Sequence, residues 1–302
     1  MCGIAGIMLK DSSDFKTGEA LVNMLNGCQH RGPDSTGFAL YGDAQKNTLK
    51  LRLFVGQAEI GVAAITQIKQ SLKENGASII EEEHIGETYR AKVNYSGDIQ
   101  KFSYALEQAA KVVSIGNSLD IIKDVGGAED VDASYDIRKY TGSHGLGHVR
   151  LATESDVKPE AAHPFWATGF ADVAIVHNGQ ITNYWKMRRR LEQRDYEFRT
   201  DNDSELIAVY LADKLSQGIK LKEALKTSID DLDGTFSFLV STKDEIGYAK
   251  DHLAVKPMVM YETEDMVAIA SEEVSLNKLF PGQALNTKEP PPGTYNTWSR
   301  SI

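Results

Sequence analysis

Cysteine is scarce in this chain: two residues in 302, Cys2 and Cys28, with no CxxC pairing. That set cannot build a disulfide scaffold, a thiolate zinc site or the four-cysteine cradle of an iron–sulfur cluster. Basic excess is missing too. Lys and Arg number 33 against 43 Asp and Glu, a net charge of −10, so no general field draws a nucleic-acid backbone to the surface and no nucleic-acid partner is expected. No apolar run approaches the ~18 residues that span a bilayer. The first such run, Cys2 to Leu9, has no basic residue before it and meets Lys10 and Asp11 at once, unlike a signal peptide. A cytoplasmic protein without membrane contact is the expectation. Proline is sparse and concentrated at Pro290-Pro291-Pro292, where no helix propagates and a surface extension is predicted.

What is present is a set of clear apolar periods. Cys2 to Leu9 is nearly continuous, as in a strand buried on both faces, and Leu21, Met24, Leu25 and Cys28 carry helix spacing. Further on, extended patterns cover 35–40 and 49–55, a helix 57–72, strands 78–82 and 88–95, and an amphipathic helix 102–113. Gly126-Gly127 reads as a linker. An extended segment follows at 142–152, then a strand at 172–177 that ends in an Asn178-Gly179 turn. Helices at 184–194, 204–215 and 221–229 precede four short strands at 235–240, 246–249, 258–261 and 266–270. Two groups of strands with helices before and between them would be satisfied by an α+β fold of two sheets sandwiched between helix layers, a four-layer α-β-β-α sandwich of two antiparallel sheets.

Cys2 becomes the first residue of the chain if Met1 is trimmed, and one residue then holds both a thiol and a free amine. That amine titrates near pH ~8, so it can serve the thiol as general base. Alone, a cysteine in an apolar strand is more often plain packing. Other motifs follow it in order: His30-Arg31-Gly32-Pro33-Asp34, His148-Val149-Arg150-Leu151-Ala152-Thr153, His177-Asn178-Gly179-Gln180-Ile181-Thr182-Asn183, Asp203-Ser204-Glu205, Leu232-Asp233-Gly234-Thr235-Phe236 and Ala270-Ser271-Glu272. With Cys2-Gly3-Ile4-Ala5-Gly6, this series resembles the class II glutamine amidotransferase domain of the N-terminal-nucleophile hydrolases.

The resemblance implies a domain over 2–280, interrupted by an inserted α/β subdomain at about 41–140 and followed by an extension at 281–302. It also implies roles. Cys2 attacks the glutamine side-chain amide, Asn178 and Gly179 donate to the oxyanion, and Arg31, Gly32, Arg150, Thr153 and Asp203 bind substrate. The chemistry is consistent: an oxyanion needs donors fixed in advance, and a guanidinium forks onto a carboxylate as lysine cannot. Each residue also has a plainer reading. Asn178-Gly179 alone spells a hairpin turn, Arg150 a surface ion pair, Asp203 an N-cap, and Arg31-Gly32 a surface loop.

Arg150 to Thr153 followed by Ala162-His163-Pro164-Phe165 and then His177 to Asn183 looks more like the family's glutamate synthase branch than its phosphosugar branch, and is similar to the amidotransferase subunit of N-methylglutamate synthase. In such complexes FMN and iron–sulfur centres belong to partner subunits, and none is expected in this chain. Leu151 and Glu154 depart from the family's usual residues. Three functions fit: a glutaminase subunit feeding a glutamate synthase-like partner, a hydrolase of another γ-glutamyl amide, and a non-catalytic docking subunit. The inserted subdomain and the tail are the expected docking surface.

Overall fold

A computed structural model describes residues 2–10, 16–151 and 158–299. The chain opens with β1 (Gly3–Leu9), α1 (Thr17–Gly27), β2 (Ser35–Tyr41) and β3 (Thr48–Phe54), then α2 (Ala58–Glu74), β4 (Ser78–Ile85) and β5 (Thr88–Asn94). Next come α3 (Ile99–Glu107), β6 (Lys111–Gly116), β7 (Leu119–Val125), α4 (Ala128–Tyr135), β8 (His144–Arg150), β9 (Phe165–Trp166) and β10 (Ala174–Ile181). The C-terminal part holds α5 (Tyr184–Glu192), α6 (Asp203–Ser216), α7 (Leu221–Asp231), β11 (Gly234–Ser241), β12 (Glu245–Lys250), β13 (Val259–Glu262), β14 (Met266–Ala270), α8 (Glu273–Asn277) and β15 (Tyr295–Ser299).

Two antiparallel sheets face each other, ordered β13-β14-β1-β8-β2-β7 and β15-β12-β11-β10-β9. Strand alternation sorts β1 between two cores. Ile4 and Met8 join the apolar cluster between the sheets, whereas Ala5 and Ile7 join the cluster under α1 and α4. Gly6 permits the close approach: a Cβ there would lie 2.9 Å from Leu239 Cδ1 of the opposite sheet. On the far face of the second sheet, α5, α6 and α7 cover Phe236, Phe238 and Val240. The result is the α-β-β-α layering expected from the strand groups.

The inserted segment is narrower than 41–140. Its own sheet, β4-β5-β3-β6, spans 48–116, whereas β7 pairs with β2 at the edge of the main sheet and α4 packs with α1. The tail differs from expectation as well, because β15 pairs with β12 and so belongs to the second sheet. Gly126-Gly127 is not a linker. Gly127 caps α4, with its N–H donating to Asp130 Oδ2 at 2.8 Å. The predicted helix over 102–113 divides into α3 and β6, and the strand predicted to stop at His177 runs on through Asn178 and Gly179 to Ile181.

Candidate active site

Cys2 stands at the head of β1, the strand between β14 and β8. Gly3 beside it must lack a side chain, since a Cβ would sit 2.8 Å from Cys28 Sγ and 2.9 Å from Val149 Cγ2. Cys2 is partly exposed, its Sγ 4.0 Å from the Leu151 carbonyl. Cys28 is buried, and desolvation raises its thiol pKa, which makes it the inert member of the pair.

The backbone of Cys2 is held by two candidate residues. Its carbonyl oxygen accepts from Arg31 Nε at 2.9 Å and from Asn178 Nδ2 at 3.1 Å. Arg31 lies in the turn Gln29–Arg31 and is buried; its Nη1 donates to Glu272, which His30 Nε2 also approaches at 3.0 Å. The Arg31 side chain is thus engaged with protein groups rather than lying on an exposed loop. Gly32 packs directly against the end of β8: a Cβ at Gly32 would come within 2.5 Å of Arg150 N.

Strand β10 carries Asn178 and Gly179 past Cys2. Asn178 Nδ2 also reaches Ser271 Oγ at 3.2 Å, and that hydroxyl oxygen accepts from Ile4 N at 2.9 Å, so the end of β14 fixes the amide against β1. Gly179 has φ +143°, and a Cβ there would lie 2.0 Å from Thr235 O on β11. Only glycine keeps both the conformation and the pairing.

Asp203 opens α6, yet the cap is Asn202, whose side-chain oxygen accepts from Ser204 N at 2.8 Å. Asp203 Oδ2 instead accepts from Ile181 N at 3.0 Å, and Oδ1 lies 3.6 Å from His177 Nδ1. Burial opposes its ionisation, but His177 and the backbone N–H groups outweigh burial and hold the carboxyl below the usual aspartate value. Behind it lies a histidine layer. Ser204 Oγ is 3.0 Å from His177 Nδ1 and 2.7 Å from His163 Nε2, and His163 stacks on His148 at 4.0 Å. Desolvation by burial lowers His148 to about 3 and His163 well below its usual value.

These groups converge on a cleft of about 980 Å³. Cys2, Arg31, Arg150, Asn178, Gly179 and Asp203 line it; Gly32 supports it from beneath, and Thr153 lies outside the described residues. The wall also takes in Leu151, His163, Ser204 and Lys256, none of them singled out from sequence as site residues. Ser271 and Glu272, which hold Asn178 and Arg31, were visible only as the motif Ala270-Ser271-Glu272. Cations at Arg150 and Lys256 and anions at Asp201 and Asp203 all line the cleft, a composition suited to a zwitterion such as a free amino acid. Among the described residues, no group of three or more His, Cys, Asp or Glu is arranged to hold a metal ion.

Residues 148–278 match the sequence profile of a glutamine amidotransferase domain. The glutamine amidotransferase-like protein GlxB of Rhizobium meliloti is 38% identical over 302 residues, covering 99% of this chain and 98% of that protein. An amidophosphoribosyltransferase of Methanocaldococcus jannaschii is 31% identical over 174 residues, 57% of this chain and 37% of that enzyme. Among solved structures, the allosteric regulatory enzyme of purine biosynthesis superposes with a TM-score of 0.64 at 20% identity, over 99% of this chain and 47% of the other. At that identity the likeness is one of fold, and the chain spans about half the length of that structure.

Proposed function

The chain belongs to the class II glutamine amidotransferases, and we propose that it is a glutaminase subunit working through Cys2. With Met1 removed, the α-amine takes the thiol proton and the thiolate adds to the glutamine amide carbon. Asn178 Nδ2 and Gly179 N–H stabilise the oxyanion. The amine's proton passes to the departing nitrogen, ammonia leaves and a thioester remains; water then releases glutamate and restores the thiol. Arg150 takes the substrate α-carboxylate, with Thr153 beside it, and Asp203 takes the α-ammonium. One observation carries this reading: Asn178 and Arg31 both hold the Cys2 carbonyl, at 3.1 Å and 2.9 Å, at the wall of the cleft.

Ammonia then passes to a separate glutamate synthase-like chain, with N-methylglutamate synthase as the model complex and FMN and iron–sulfur centres on sister subunits. Exposed Leu151 at the cleft wall favours N-alkylated γ-glutamyl amides as a second substrate class. The test of the first reading is mass spectrometry of the native N-terminus together with glutamate release. Mature protein should begin at Cys2, and Cys2→Ala should abolish hydrolysis with the fold unchanged; full activity in Cys2→Ala would refute the assignment.

A further inference from the structure

A second cavity, of about 320 Å³, opens where the inserted sheet meets the two-sheet sandwich. That volume lies within the range of small-molecule sites. Val113, Phe165 and Trp166 give it an apolar wall. Its charged wall is unevenly satisfied. Glu205 is fully occupied, accepting from Arg199 N at 2.9 Å, Thr200 N at 2.8 Å and Thr200 Oγ1 at 2.6 Å. Arg199 is not: Nη1 pairs with Glu107, the guanidinium lies over the Trp166 ring at 5.4 Å, and Nη2 is buried with no partner among the described residues. A buried donor left without an acceptor is costly, and a ligand oxygen would supply one. Burial lowers Arg199 and pulls Lys123 down to about 7, outweighing Glu107 and Glu205 beside the one and Glu160 and Glu205 beside the other. At the rim Lys111 is only loosely paired, 3.6 Å from Glu160.

We propose that this cavity is a second binding site, for a small carboxylate with an apolar body. The carboxylate accepts from Arg199 Nη2, and the apolar body lies against Val113, Phe165 and Trp166. Amino acids and 2-oxo acids both carry this chemistry; an α-ammonium would additionally meet Glu160. The cavity is distinct from the catalytic cleft but shares Phe165 and Thr200 with its wall.

Isothermal titration of the full chain with L-leucine, L-phenylalanine and their 2-oxo acids tests it. At least one compound should bind saturably and continue to bind after Cys2 has been alkylated. Affinity should fall at least about tenfold in Arg199→Gln/Glu107→Gln, which removes both charges together, and in Val113→Met, which fills the apolar wall. Binding by the amino acids alone or by the 2-oxo acids alone supports the site and identifies the source of the carboxylate. No binding up to about 10 mM, loss of binding on Cys2 alkylation, or unchanged affinity in both folded variants overturns the proposal.

Discussion

The roles proposed for Asn178 and Arg150 differ, and kinetics should separate them. Ser271 orients the Asn178 amide, and the N–H that rests on the Cys2 carbonyl is the one that would turn to an oxyanion, so its gain comes when negative charge develops. Asn178→Ala should therefore lower kcat by ~10²-fold or more, while Arg150→Ala should act mainly by raising KM, since a carboxylate clamp binds ground state and transition state alike. A change in KM alone for Asn178→Ala would remove it from the oxyanion site. The histidine layer makes a separate prediction about stability. His148 is fully buried, and burial outweighs a backbone contact with His177 and lowers it to about 3. In the unfolded chain it titrates near ~6.5, so below that pH the unfolded state binds a proton that the folded state refuses. The stability is complete above pH ~6.5 and is lost as pH falls toward 3, at about 1.4 kcal/mol per unit from this group. His163, shifted the same way, steepens the loss. Urea unfolding between pH 6 and 4 should show a shallower slope in His148→Phe; an unchanged slope would assign the acid sensitivity to other groups.

Glycine supports the site at the level of the strand. Gly179→Ala would force a side chain into positive φ and against Thr235 O, breaking the β10–β11 pairing where the proposed oxyanion donors stand. The conformation alone costs on the order of 1–3 kcal/mol, so the variant should unfold at lower urea and lose turnover together. Wild-type stability in Gly179→Ala would mean that the strand accommodates the methyl group. The same position differs from the sequence expectation: Asn-Gly alone spells a turn, but pairing with β11 keeps the strand extended through it. Elements with a clean period, such as β1, α1 and α6, were legible. Strand β7 was not, because Asp120 and Lys123 break its apolar run. Both are buried, Asp120 against Arg52 at 2.8 Å and Lys123 on the Ala162 carbonyl at 2.8 Å, and neither partner is visible from local sequence. The boundary between α3 and β6 was hidden for another reason: Leu106, Ala109 and Val113 keep helical spacing across a turn that has neither glycine nor proline. Likewise the residues of motifs distant in sequence could be gathered as candidates, whereas the grip of Ser271 and Glu272 on them appears only when β14 is laid beside β1.

At the scale of the whole molecule, the inserted sheet is not an independent module. Leu51, Leu53 and Ile115 of β3 and β6 belong to the same apolar cluster as Ile121, Trp166 and Val176 of the sandwich. Removing 57–113 would strip β3 of both its neighbours and open that shared core to water. Fully buried leucine or isoleucine side chains contribute about 1.5–3 kcal/mol each, so exposing several exceeds the stability of an ordinary domain. The deletion variant should lose its cooperative thermal transition and its glutaminase activity together, and so cannot test docking. Surface substitutions can. Ile60 and Val62 on α2 are 73% and 64% exposed, apolar side chains that the fold itself leaves uncovered. If the insertion carries the contact to a synthase-like chain, Ile60→Asp/Val62→Asp should keep the melting transition and glutamine hydrolysis while co-purification with that chain fails. Normal assembly of the folded double variant would move the interface off α2, and a cooperative, active 57–113 deletion would show that the sandwich core closes without the inserted sheet.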